Sequence, residues 1–289
     1  MIRNLLKDSG TLSKLAQLSF AFLFFSLFVL ALSDVLLGNT ESFTVASKLI
    51  MMLQRIFMFF VPPVLLAYLW SNKPYRYLKF NKPISFSGLI IVGVFMLLVI
   101  PFINLLSYYN NLIELPDSFS SLETWMRSLE AQAEVSTAKL LNVTDFSDLI
   151  FNILLVAVLP ALGEELFFRG SLQTILSEKG KVILAVWISA VVFSAIHFQF
   201  YGFVPRMLLG ACFGYLLLWS GNLWIPIAAH FINNAVAVVF YYLKYNEMTT
   251  LNLDTIGTGE TRWLGVVSGI ISMLLLLYIY RFFKTQSRY

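Results

Sequence analysis

Apolar residues in this chain run in long blocks, and charged residues fall mostly in the gaps between them. Eight blocks, 15–37, 49–70, 86–108, 149–169, 182–200, 204–220, 223–243 and 263–280, approach the twenty or so residues that a helix needs to cross a bilayer core. A segment in lipid must satisfy its own backbone hydrogen bonds, so the blocks predict an all-α membrane protein, a bundle of about eight transmembrane helices. The first block contains Ala31-Leu32-Ser33, which is similar to a signal-cleavage site. Its apolar run is longer than a signal peptide needs, and it is read as a retained helix.

Charge then orients the blocks. Arg3, Lys7 and Lys14, then Lys73, Arg76, Lys79 and Lys82, then Lys179 and Lys181, and finally Arg281, Lys284 and Arg288 all fall on one side of an eight-span chain. The positive-inside rule makes that side cytoplasmic, with both termini there. The opposite loops hold Glu41, Glu114, Asp117, Glu123, Glu130, Glu134, Asp254 and Glu260. The connection 110–148 is too long for a plain turn. Ser120-Ser121-Leu122-Glu123 offers a capping box, and Leu122, Trp125, Met126 and Leu129 recur at helical spacing, predicting an amphipathic helix in this outer loop. Arg55, beside Gln54 in the second block, reads as a side chain that snorkels to the outer surface.

Composition excludes the soluble classes. Of 289 residues, 58% are hydrophobic and 12% charged, which is too little polar surface for a soluble globule. The net charge of +4 is accounted for at helix ends, so no nucleic-acid footprint remains. The single cysteine, Cys212, lies in an apolar block and has no intrachain partner.

Polar groups inside the blocks carry the candidate chemistry, because an ionisable side chain at membrane depth is expensive and reads by default as functional. Glu164 and Glu165, with Arg169 four residues beyond Glu165, end a stretch that is uncharged from Phe151 to Leu162. Both histidines of the chain, His197 and His230, fall in later blocks, with Phe193 four residues before the first and Asn234 four after the second. Pro160 and Pro226, each four residues before Glu164 or His230, predict kinks that widen a polar cavity. Hydrolysis of an amide needs a base for water and donors for the oxyanion. Glu164 near His197 suits the first role, His230 and Asn234 the second, with Arg169 orienting Glu165. The same Glu164, His197 and His230 could instead hold Zn²⁺ with an open position, although no HEXXH helix supports a metal. The plainer alternative is that Glu164 and Glu165 mark a helix end at the interface, paired with Arg169.

Glu164-Glu165-x-x-x-Arg169, Phe193-x-x-x-His197 and His230-x-x-x-Asn234, in this order and in separate blocks, resemble the CPBP intramembrane protease family. That family includes the CAAX prenyl endopeptidases and proteins linked to bacteriocin immunity. The resemblance covers roughly residues 151–242. It implies an eight-helix bundle that hydrolyses peptide bonds within the membrane, with Glu164, His197, His230 and Asn234 as catalytic residues. It leaves the choice between zinc and a glutamate-activated water open. The chain then divides into 1–148, three helices and the outer loop; 149–243, the catalytic core; and 244–289, an outer loop, the last helix and a basic tail. The expected partners are the lipid bilayer and a membrane-associated peptide or protein, prenylated or otherwise lipid-tethered, and the expected location is a bacterial inner membrane. The alternatives are a non-catalytic bacteriocin-immunity or binding protein and a proton- or ion-coupled transporter. Because Glu164 and His197 both come late in oppositely directed blocks, they meet only if the fourth helix continues through 171–177.

Overall fold

The computed structural model describes residues 3–37 and 45–286; Glu41 and Arg288, both used in the charge pattern above, lie outside the described residues. Helices dominate, and the described residues contain no strand. In chain order the principal helices are α1 (Thr11–Leu37), α2 (Ala46–Trp70), α3 (Phe86–Leu98), α4 (Ile100–Asn111), α5 (Ser120–Leu141), α6 (Phe146–Ser177), α7 (Val182–Ala195), α8 (Phe203–Ser220), α9 (Trp224–Tyr245) and α10 (Arg262–Gln286). Among the described residues six helices are long and apolar enough to span a membrane, and seven spans result if the bent pair α3 and α4 counts as one. The expected eighth is α7, which is only 14 residues long.

Two departures from the expected spans have local causes. The block 86–108 is not one straight helix but bends by 42° between α3 and α4. Pro101 has no N–H to give back to the preceding turn, and Ser268 Oγ fills the break, donating to Leu98 O at 2.5 Å and accepting from Phe102 N at 3.2 Å. The block 182–200 ends as a helix at Ala195, where i→i+3 bonds tighten the chain and Phe198 enters the left-handed region at φ 53°. His197 therefore sits in the turn beyond α7 and not on its face.

The helices pack with their ends on two faces. On one, Lys14 of α1 pairs with Glu178 just past α6, Lys82 Nζ donates to Ser220 O at the end of α8, and Leu223 N at the start of α9 donates to Lys79 O. Phe283 near the end of α10 packs there against Gly88 at the start of α3. The expected basic loops thus share one face. On the other, Lys48 pairs with Asp148, and Asn246 beyond α9 donates to Val143 O. In the long connection a helix does form, α5, but without the expected capping box. Glu123 accepts instead from Leu115 N at 3.0 Å and pairs with Arg127, while Leu122 and Trp125 stay exposed.

The helix that carries the glutamates is unusually long. α6 runs unbroken from Phe146 to Ser177, and so includes the extension that the depth argument required. Two stretches of it, Ile153–Val158 and Leu166–Gln173, are π-helical, one on each side of the segment Leu159–Glu165. Such wide turns recur at functional sites because they re-aim side chains. Depth then matches: Glu164 is thirteen residues before Ser177 and His197 fifteen after Val182, rises of about 20 and 22 Å from the basic face at 1.5 Å per residue.

Candidate active site

Pro160 shapes the site through the hydrogen bond it does not make. Its missing N–H leaves the Val156 carbonyl free, and that carbonyl accepts from Asn234 Nδ2 of α9 at 3.1 Å. Asn233 Nδ2 donates in turn to Asn234 Oδ1 at 3.1 Å, so α6 and α9 are joined by amides beside the histidine. Pro226 acts differently from the expectation. It falls in the first turn of α9, where no backbone donor is required, and it makes no kink there.

Behind the glutamates lies a dry ionic network. Arg169 and Glu165 have no exposed surface, and Arg169 Nη1 donates to Glu165 Oε1 at 2.9 Å. Arg169 Nη2 donates to Gly210 O at 2.8 Å, an approach that depends on Gly210 lacking a side chain: a Cβ there would lie 3.0 Å from Phe193 and 3.3 Å from the guanidinium. The rings of Phe193, Phe213 and Phe168 surround the guanidinium at 4.6, 5.4 and 5.8 Å. Phe193 also meets the edges of both His197 and His230, and Phe213 stacks on His230.

The same Glu165 oxygen accepts from His230 Nδ1 at 2.9 Å. Because that oxygen already accepts from Arg169, the imidazole is the donor, and in its neutral form His230 presents a lone pair at Nε2. Nε2 lies 3.9 Å from Glu164 Oε2. His197 is pinned in the same sense, Nδ1–H to Phe193 O at 2.8 Å. No hydrogen bond joins His197 to Glu164; both instead line one cavity of about 400 Å³ together with His230, Asn233 and Asn234.

Two arginines complete the cavity. Arg55 Nη1 donates to Glu164 Oε1 at 3.1 Å, which replaces the expected snorkelling with a direct ion pair. The pair is possible because α2 and α6 touch closely: a Cβ on Gly163 would fall 2.5 Å from the ring of Phe60. Arg206, in the first turns of α8, lines the opposite wall. Its detectable signal was the one charged residue inside the otherwise uncharged block 204–220. Helix α5 closes over this end: Glu130 accepts from Tyr201 N, Glu123 from Tyr201 OH, and Thr137 and Leu141 reach the cavity. The Leu115 N–H and Arg127 hold the Glu123 carboxyl below its ordinary range, whereas burial pushes Glu130 above it.

The histidine tautomers are those that metal ligands adopt. Their positions are not, since no three His, Cys, Asp or Glu side chains among the described residues are grouped to hold an ion. Glu164, His197 and His230 therefore do not fit a ligand set in this arrangement.

Comparison with known proteins agrees with the residues. A family model described as type II CAAX prenyl endopeptidase Rce1-like matches residues 146–236. The uncharacterized protein YpbD of Bacillus subtilis (strain 168) is 33% identical over 89 residues, which are 29% of this chain and 43% of that protein. The chain thus aligns with less than half of that relative's length. No solved structure matches. The matched segment 146–236 carries Glu164, Glu165, Arg169, Phe193, His197, His230 and Asn234, and is similar to the Rce1-like family to which its ordered motifs pointed.

Proposed function

We propose that this multi-pass membrane protein is an intramembrane endopeptidase that hydrolyses a peptide bond in a membrane-associated protein or peptide, prenylated or otherwise lipid-tethered. The observation that carries the reading is a buried carboxylate, Glu164, facing His230 Nε2 at 3.9 Å across a cavity, with Glu165 and Arg169 fixing the imidazole from behind. A water between the two accepting groups gives its proton to Glu164 as its oxygen bonds to the peptide carbonyl carbon. The carbonyl electron pair moves onto its oxygen, where the second N–H of Asn234, not used on Val156, is the donor. Collapse breaks the C–N bond, and the amine leaves with the proton returned by Glu164 or passed through His197. In this scheme His230 Nε2 lies beside the water, and Asn234 alone keeps the oxyanion role that both were expected to share.

The basic face is taken as cytoplasmic, in a bacterial inner membrane. Zinc has no step in this scheme.

The test is cleavage of a panel of membrane-tethered and prenylated peptides by the purified protein in nanodiscs, beside Glu164→Gln, with metal content measured on the same samples. Cleavage by the parent that falls at least about a thousandfold in the variant is expected, the scale of losing a principal catalytic group. Equal cleavage by both removes Glu164 as the base. Stoichiometric zinc that tracks activity would replace the metal-free scheme.

A further inference from the structure

The cavity that holds Glu164 is closed toward one face of the bundle and open toward the other. Glu165, Phe168 and Arg169, which follow Glu164 along α6 toward the basic face, are fully buried. Arg169 and Gln173 donate to the Gly210 and Gly214 carbonyls of α8 at 2.8 and 3.0 Å, which draws the two helices together. No space remains between them: a Cβ on Gly214 would fall 2.8 Å from the Gln173 amide oxygen and 2.9 Å from Val186 of α7. On the side of α9, Leu166 packs in one buried cluster with Leu217, Leu223 and Ile227. A separate cavity of about 550 Å³ does open on the basic face, beside Lys79, Lys82 and Gln173, but among the described residues it shares no wall with the one at Glu164.

Away from the basic face the cavity continues. Its wall runs along the last turns of α4 and α9 to Ser107 and Tyr241, and meets α5 at Thr137, which is exposed. Ala237 and Tyr241 also border a smaller cavity against the connection 251–254 beyond α9. Glu164 lies about 20 Å from the basic face, which leaves roughly 10 Å of a 30 Å hydrocarbon core above it. Three extended residues, at about 3.3 Å each, cover that depth.

We propose that the peptide reaches Glu164 from the face opposite the basic loops, beneath α5, and that the substrates are segments on the extracytoplasmic side of the membrane. Such a segment is the juxtamembrane stretch of an exported or membrane-anchored protein, cut within about three residues of its outer boundary with the bilayer. The proposal rests on the endopeptidase reading for the peptide and on the positive-inside rule for the side. It also narrows the tether. A polypeptide span that emerges outside can feed this mouth, whereas a lipid-modified C-terminus held at the cytoplasmic surface meets the closed floor.

The experiment has two arms, both on the full chain. In the first, Ser107→Cys and Ala237→Cys, on the cavity wall, and Ser177→Cys, in the basic-face cavity, are made in a Cys212→Ser background and exposed to a charged, membrane-impermeant methanethiosulfonate. Ser107→Cys and Ala237→Cys are expected to react in intact cells and not in inverted membrane vesicles, with Ser177→Cys giving the reverse. Reaction of the two cavity positions from the cytoplasmic side, or from neither side, overturns the proposal. In the second arm, mass spectrometry of new protein termini compares membranes of cells that express the parent or Glu164→Gln. The termini lost in the variant are expected in extracytoplasmic juxtamembrane segments. Glu164-dependent termini in cytoplasmic segments overturn the proposal while the endopeptidase reading stands. Reaction from outside alone, without any Glu164-dependent terminus, keeps the mouth of the cavity where it is assigned while the endopeptidase reading fails.

Discussion

At the scale of single residues, the two glutamates have opposite relations to stability, although they are neighbours. Glu165 shares one oxygen between Arg169 and His230 and has no contact with water, and its other oxygen is without a partner. Removing Arg169 strands a buried carboxylate, so Arg169→Ala is expected to cost about 3–5 kcal/mol. Glu164 faces the cavity and pairs with Arg55, whose side chain is 41% exposed and keeps access to water when its partner is lost. Glu164→Gln should therefore stay within about 1 kcal/mol of the parent while abolishing cleavage. Unfolding curves in one fixed detergent, beside the peptide assay, check both; a Glu164→Gln protein as unstable as Arg169→Ala would remove the distinction. The motif residues were legible in sequence because charge and imidazole stand out in an apolar run. Arg55 was misread and Arg206 passed over because an arginine near the end of a block has an ordinary explanation in the membrane interface. Their partners emerge only when the helices are brought together.

At the scale of elements, the site depends on helix α6 departing from a regular α-helix. Pro160 leaves Val156 O to Asn234, and a restored N–H would compete for that carbonyl. Pro160→Ala is thus expected to leave the protein as stable as the parent or more so, since proline within a helix is unfavourable. Freed from α6, Asn234 should lose position, and cleavage should fall about tenfold, the equivalent of one hydrogen bond in the transition state. A variant that keeps full activity would show that the amide link does not position Asn234. Gly163 makes the complementary case, because a larger side chain there must displace Phe60 and with it the α2 turn that follows Arg55. Gly163→Val should cost about 1–3 kcal/mol by overpacking and be seen as a lower unfolding midpoint; an unchanged midpoint would mean that the two helices can part freely. Sequence pattern located these elements but not all their ends. Apolar residues continue past Ala195, so hydropathy extended α7 through a turn that Phe198 actually breaks. The π-helical stretches have no compositional mark, whereas the extension of α6 to Ser177 was legible from the depth its glutamates had to reach.

At the scale of the whole molecule, the short α7 raises the question of whether the two ends of the chain lie on the same side. Fourteen residues rise about 21 Å, short of a hydrocarbon core of roughly 30 Å. Yet α7 begins beside the basic turn that contains Lys181, and α8 returns to that face, where Ser220 meets Lys82. The pair is a hairpin that ends where it started, whether or not its tip reaches the far surface. The remaining passages, α1, α2, the bent α3–α4 span, α6, α9 and α10, are even in number, so the first and last described helices begin and end together. The positive-inside rule then predicts Lys7, Lys82, Lys179 and Lys284 in the cytoplasm, with Glu134 and Thr249 outside. Single cysteines at these six positions, in a Cys212→Ser background, can be probed in intact cells with a membrane-impermeant maleimide. Labelling is expected at Glu134→Cys and Thr249→Cys, with the four lysine positions reacting only after lysis. Labelling of Lys82→Cys and Lys284→Cys in intact cells would invert the protein. Labelling of only one of those two would break the parity argument, because the hairpin would then have to cross an odd number of times.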